Sequence, residues 1–199
     1  MSDILKQPII IFDIEATCDV LLPKNKREII EIGAVKIIDG EIVDKFQRFI
    51  KPKRNSTLSK YCMDLTHISQ KDVDNADAPN VVLDEFVAWC KNSVLAAWGP
   101  FDSEILSREC KKNKVLLNDE LFINIKKIFL ATKHLPMETS LSDSLKKEHI
   151  DFDGQQHRAY DDAFNTYLIY RKNLLKMDKM MAALYSHVLR NEALRKCDA

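Results

Sequence analysis

The sequence predicts an α/β domain built on a mixed sheet, and three observations carry that expectation. Three β-rich segments stand at the front of the chain with no helical spacing between them. From residue 80 onward, apolar residues at helical intervals alternate with short strand-like runs, the order that layers helices on a sheet. Asp39-Gly40 separates the second and third segments, a strong hairpin signal because a type I′ turn needs φ > 0 at both central positions.

The elements can be taken in order. Residues 8–14, PIIIFDI, are a short apolar run of β-branched and aromatic residues and read as a buried strand. Residues 28–38, EIIEIGAVKII, and 41–50, EIVDKFQRFI, are the next two strands. The polar stretch KPKRNSTLSK and the segment YCMDLTHIS lead into a loop that ends near Pro79. From Asn80, the residues Val82, Phe86, Trp89 and Cys90 recur at helical spacing. Val94 to Trp98 is a fourth strand closed by Gly99-Pro100, and Phe101 to Lys112 is a helix. A fifth, short strand is expected around Leu121 to Ile125, followed by helices at Lys126–Thr132, Ser140–Lys147 and Ala159–Leu175. Residues 176–197 carry Met177, Met181, Leu184 and Val188 and predict one more helix. The expected organisation is one domain over residues 1–175, with residues 176–199 as a helical extension packed on it.

Composition removes several function classes. Of 199 residues only four are glycine, Gly33, Gly40, Gly99 and Gly154, too scattered for G-x-G-x-x-G, a P-loop or G-x-S-x-G. A dinucleotide fingerprint, a glycine-rich phosphate cradle and a nucleophile elbow are excluded. Lys+Arg equals Asp+Glu at 30 each, so the net charge is zero. That balance argues against a broad grip on duplex nucleic acid and leaves a short local site open. The five cysteines are odd in number and widely spaced, without C-x-x-C, which disfavours zinc and a disulfide framework. No apolar run approaches the ~18 residues of a membrane span, and the first residues lack a signal-peptide pattern. A soluble cytoplasmic chain with reduced thiols and no membrane partner is the expectation.

The chemistry concentrates in three acidic segments. In Phe12-Asp13-Ile14-Glu15-Ala16-Thr17, two acids sit at i and i+2 at the end of an apolar strand, so they project from one face. Burying two like charges together needs a positive partner, for which a divalent cation is suited; an exposed strand end is the alternative. In Ala97-Trp98-Gly99-Pro100-Phe101-Asp102, the acid opens a helix after a strand, and taken alone Asp102 reads as a cap. In His157-Arg158-Ala159-Tyr160-Asp161-Asp162-Ala163, a His precedes two acids at a helix start. Capping is again open for each in isolation, and their co-occurrence allows convergence in one cleft.

The pieces FDIEAT, WGPFD and HRAYDDA, with EIIEIGAV between them, resemble the DEDDh (DnaQ-like) 3′–5′ exonuclease family over residues 8–172. EATC, LSKYCMDLTHIS and WGPFD are most similar to its Eri-type and KapD-like exoribonuclease subgroup. The resemblance implies an RNase H-like fold, a mixed five-stranded sheet flanked by helices. It implies that Asp13, Glu15, Asp102 and Asp162 hold two divalent ions, Mg²⁺ or Mn²⁺, with His157 as general base. The family pattern H-x-A-x-x-D-A fits His157, Ala159, Asp162 and Ala163 in register, which selects Asp162 and leaves Asp161 facing solvent. It also implies release of nucleoside 5′-monophosphates from a single-stranded 3′ end, RNA favoured over DNA.

Substrate contacts are implied for backbone groups at Ala16 and Thr17, for Thr66, and for Tyr61 and Phe101 as stacking platforms, with core packing the alternative for those two rings. The subgroup commonly reads L-T-G-I where this chain has Leu65-Thr66-His67-Ile68, so His67 replaces a glycine. Lys24-Lys26-Arg27 and Lys51-Lys53-Arg54 flank candidate strands and read as solvated faces, or as a path for upstream phosphates. Two other classes remain open. Asp13-Ile14-Glu15-Ala16-Thr17 comes close to the nucleophile motif of haloacid-dehalogenase-like phosphatases, with Asp161 and Asp162 on magnesium. A mainly protein-binding module is the other, although no partner is evident in the sequence.

Overall fold

Five strands form a single mixed sheet: β1 (Ile9–Ala16), β2 (Ile29–Ile38), β3 (Glu41–Phe49), β4 (Val94–Ala97) and β5 (Phe122–Asn124). The computed structural model describes residues 7–117, 122–173, 176, 179 and 180. The strand order is β3-β2-β1-β4-β5. The first three strands form an antiparallel meander, whereas β4 joins parallel to β1 and β5 parallel to β4. The hairpin turn forms as expected, with φ of 52° at Asp39 and 83° at Gly40.

Seven helices are described: α1 (Lys60–Thr66), α2 (Gln70–Asp74), α3 (Pro79–Trp89), α4 (Phe101–Lys112), α5 (Ile125–Lys133), α6 (Leu141–Lys147) and α7 (Ala159–Lys172). The first lies in the YCMDLTHIS segment, for which the sequence predicts no element, and the second in the stretch expected to be loop. Their seven and five residues are too few to show an apolar period, and their signal lies in the caps. The Ser59 side chain accepts the Cys62 N–H, and Ser69 forms a reciprocal capping box with Asp72. The helix expected over residues 176–197 lies outside the described residues, apart from Lys176, Lys179 and Met180. No helix among the described residues is long and apolar enough to cross a membrane.

Alternation along β1 assigns each face of the sheet. Ile10, Phe12, Ile14 and Ala16 pack under α3 and α4 in a core with Phe86, Ile105 and Leu106. Ile9 and Ile11 face the other layer, where Phe129, Leu145, Tyr167 and Tyr170 bring in α5, α6 and α7. Asp13 and Glu15 continue this second row, so the strand's period points both acids toward α7.

One close approach sets where α7 can lie. A Cβ added at Gly33 would sit 2.0 Å from the Tyr160 backbone nitrogen and 2.2 Å from the Ala159 carbonyl carbon. The first turn of α7 therefore rests on the bare backbone of β2, at the residue paired with Asp13. The clash would be with backbone on both sides and no side chain can yield. Gly33→Ala should accordingly lower unfolding free energy by about 3 kcal/mol or more, read by urea titration. A change under half of that would mean that α7 can be lifted without loss.

Candidate active site

The site begins where two parallel strands part. β1 pairs with β4 only from Ile9 to Ile11 and then runs on to Ala16, so its β4-facing edge is left open. Helix α4 follows β4 after a short turn and fills that gap. Asp102, in its first turn, accepts the Ile14 N–H at 3.2 Å. The acid that alone reads as a helix cap instead caps the neighbouring strand and is buried there. A crevice at the carboxyl ends of parallel strands is the usual ligand position in open α/β sheets.

Helix α7 supplies the opposite wall. Its N-terminal segment is held by Glu31 of β2, which is fully buried and directly opposite Glu15 in the β1–β2 register. Glu31 accepts from Arg158 Nε at 3.1 Å, Arg158 Nη2 at 2.9 Å and the Ala159 N–H at 3.1 Å, and Gln47 Nε2 donates to it at 2.7 Å. Every oxygen of this buried carboxylate is thus matched. The clamp orients the residues on either side of Arg158. The His157 N–H donates to Asp162 Oδ2 at 2.9 Å, with His157 in the left-handed region at φ 62°. One ligand-competent atom from each of Glu15, His157 and Asp162 lies within 4.8 Å of the others. Asp161 turns to its own loop, where its carboxylate accepts the Gln155 N–H at 2.8 Å, a half-buried anchor rather than the solvated acid expected.

Like charge dominates the crevice. Burial raises Asp13 well above the usual carboxylate range, and Asp102, Asp162 and Glu15 add to the rise. Burial likewise raises Glu15, reinforced by Asp162, Glu31 and Asp102. Asp102 is pushed up to about 7 by burial despite the Ile14 amide, and Asp162 reaches about 7 by burial despite the His157 amide. The charged neighbours acting on Asp13 and Glu15 are acids and one thiol, with no cation among them. Four carboxylates of this kind offer hard oxygen donors with no internal counter-charge, which fits a divalent cation. His157 shifts the other way. Partial burial and then the nearby His67 lower its pKa, so the imidazole is neutral at neutral pH.

The residues expected to touch substrate are placed unequally. Tyr61 is exposed, and Phe101 is half-buried against the α3–α4 core. The Thr17 N–H donates to the Glu28 carbonyl at 2.8 Å and its hydroxyl accepts the Glu28 N–H at 2.9 Å, while Ala16 closes the β1–β2 ladder. Thr66 is fully buried; its hydroxyl donates to the Cys62 carbonyl and accepts the Ile68 N–H. Both bonds tie the Thr66 side chain to the end of α1. His67 takes the left-handed conformation, φ 57°, that suits the subgroup's glycine. Of the basic clusters, Lys51, Lys53 and Arg54 are exposed and are bound to the Asp74 carbonyl, Asn113 and the buried Glu28 and Glu109. Lys24 and Lys26 remain exposed on a short 3-10 turn.

Sequence reading assigned no role to Glu31, Gln47 or Arg158. The available signal was Glu31 itself, an acid inside an apolar strand on the same face as Gly33. A buried acid requires a partner, and that partner lies 127 residues away.

A family model described as Exonuclease matches residues 10–170 of this chain. The 3′-5′ exoribonuclease 1 of Rattus norvegicus is 34% identical over 172 residues, 79% of this chain and 50% of that protein. This chain thus spans about half the length of that relative. The probable 3′-5′ exonuclease KapD of Bacillus subtilis is 30% identical over 161 residues, 76% of this chain and 75% of that protein. Among solved structures, the nuclease domain of 3′hExo, described as a DEDDh family member bound to rAMP, is similar with a TM-score of 0.79. Its identity is 31%, over 85% of this chain and 92% of that one.

The raised carboxylates set a sign for pH dependence. Without metal, these acids stay protonated in the folded chain at pH values where they ionise in the unfolded one. Stability is therefore present at low pH and lost as pH rises from about 4, the ordinary carboxylate value, toward about 7. In a chelator, Tm at pH 8 should fall below that at pH 5.5, and Mg²⁺ or Mn²⁺ should restore it, more strongly at pH 8. Asp162→Asn should stabilise the metal-free protein at pH 8 by about 1–3 kcal/mol. A destabilised Asp162→Asn protein would remove the like-charge account.

Proposed function

Because the chain belongs to the exonuclease family, and to its DEDDh branch by its relatives, we propose that it removes nucleoside 5′-monophosphates from single-stranded 3′ ends. RNA is the favoured substrate, in keeping with the name of the rat exoribonuclease relative. The observation that carries the reading is the crevice at the ends of β1 and β4. There Asp13, Glu15, Asp102 and Asp162 act on one another electrostatically and neutral His157 stands within 4.8 Å of Glu15 and Asp162.

Each residue has a role in this scheme. Asp13, Glu15, Asp102 and Asp162 would hold two divalent cations, Mg²⁺ or Mn²⁺, which supply Lewis-acid activation of water and stabilise charge on the leaving oxygen. His157, kept neutral by its surroundings, accepts the proton from the attacking water as that water adds to the terminal phosphate. The 3′ oxygen of the penultimate nucleotide leaves, and the product carries a 5′ phosphate. The Arg158–Glu31 clamp fixes His157 and Asp162 relative to Glu15. Tyr61 and Phe101 are the stacking platforms for the terminal bases, and the backbone at Ala16 and Thr17 meets the sugar. Stacking tolerates any base, which suits progressive removal of successive nucleotides.

Matched 5′-labelled RNA and DNA oligonucleotides with Mg²⁺, Mn²⁺ or chelator test the proposal on one gel. A metal-dependent 3′-to-5′ ladder is expected, stronger on RNA. Asp13→Asn should erase it, and His157→Ala should lower kcat by about 10²- to 10⁴-fold. A ladder that persists in Asp13→Asn would sink the scheme. For the stacking role, Tyr61→Ala and Phe101→Leu should each raise KM for a short oligonucleotide by about fivefold or more with kcat little changed. If KM stays put in both, the rings serve packing alone.

A further inference from the structure

Two of the cysteines lie together at the edge of this crevice. Cys18 follows the end of β1, and Cys62 lies one residue after Tyr61 in α1. The Cys18 N–H donates to Cys62 Sγ at 3.3 Å, and the two thiols are in hydrogen-bond contact. Since an amide nitrogen is about 1.46 Å from its Cα, that contact brings Cys62 Sγ within disulfide reach of the Cys18 side chain. Ser59 reinforces the junction: its hydroxyl donates to the Cys18 carbonyl at 2.8 Å and accepts the Cys62 N–H at 3.0 Å.

Both cysteines are buried, and they border a cavity of about 170 Å³ together with Thr17, Asp19, Asn55 and Ser59. That volume admits a molecule of hydrogen peroxide, which is little larger than water. The bond between the two thiols, with the Cys18 amide and Arg27 adding to it, brings the Cys62 thiol down to about 7 and pushes the Cys18 thiol up, so Cys62 is the one of the pair that ionises first.

We propose that Cys18 and Cys62 are a peroxide-reactive dithiol that closes to a disulfide and weakens nucleic-acid binding. The Cys62 thiolate attacks one peroxide oxygen, forming a sulfenic acid and releasing hydroxide. The Cys18 thiol then attacks that sulfur, the S–O bond breaks, and water leaves. Overall two thiols and one peroxide give one disulfide and two waters, the sulfurs losing two electrons that the peroxide oxygens gain. A disulfide holds its sulfurs about 2.05 Å apart, well inside any thiol hydrogen bond. Closing it draws α1 toward the end of β1 and moves Tyr61, one residue from Cys62. The effect on binding rests on the exonuclease reading; the cross-link does not.

The test treats the folded full chain with hydrogen peroxide and maps peptides without reduction. A Cys18–Cys62 linked peptide is expected, two hydrogens lighter than the dithiol and reversed by dithiothreitol. Oxidation should raise KM for a short RNA by about fivefold or more, the lower bound for losing one base stack. Cys18→Ala should form no cross-link and show no such response. Separate sulfinic acids at the two positions, or thiols still reduced when other cysteines react, would overturn the dithiol. A cross-link without a KM change would overturn its coupling to the site. A chain with no exonuclease activity before oxidation would refute the function, while the peptide map would still decide the dithiol.

Discussion

The close contact between the first turn of α7 and the bare backbone of β2 is the constraint on which the candidate site depends. At Gly33 the two backbones approach to a distance that leaves no room for a Cβ. Two residues earlier on the same face, Glu31 grips Arg158 and the Ala159 N–H. The contact fixes height and the ion pair fixes rotation. Together they determine where His157 and Asp162 fall relative to Glu15, which pairs across the ladder with Glu31. Removing one partner of a buried pair leaves an uncompensated charge, a far larger loss than the pair's own net contribution.

The fold assembles a cluster that it does not itself neutralise. Asp13 and Glu15 come from a strand, Asp102 from the helix after the neighbouring strand, and Asp162 from α7. Burial raises the pKa of all four, and the charge of neighbouring acids raises it further. A chain stabilised only by its own contacts would disfavour such an arrangement. Elsewhere the same protein handles buried acids differently. Glu28 accepts backbone N–H bonds from Lys53, Arg54 and Asn55, and Glu148 is paired with Lys133. Matched acids serve the scaffold and unmatched ones form the crevice.

The third wall of the crevice is stitched on. Helix α1 is only seven residues long and would be marginal by itself. It is tied to the end of β1 through Ser59, Cys18 and Cys62, and its end is closed internally by Thr66. It also packs through Cys62, Met63 and Leu65 into a small apolar cluster with Ile30, Leu58, Ile68 and Val73, which leaves Tyr61 exposed on its outer side.

What the sequence determined alone is what neighbours along the chain decide. The two-residue period of a strand put Asp13 and Glu15 on one face. The Asp39-Gly40 turn set the hairpin, and alternating periodicities specified an α/β sheet of five strands. Tertiary structure decided everything that rests on distant partners. It turned Asp102 from a cap of its own helix into a cap for Ile14, buried Thr66, and gave Lys51, Lys53 and Arg54 partners remote in sequence. It also joined Cys18 to Cys62 across 44 residues, and Glu31 to Arg158 across 127. Helices α1 and α2 fall between these cases: their capping serines were visible, but five to seven residues carry too little periodicity to be read. Periodicity reports which face a side chain takes. Only the packing of elements remote in sequence says what that face meets.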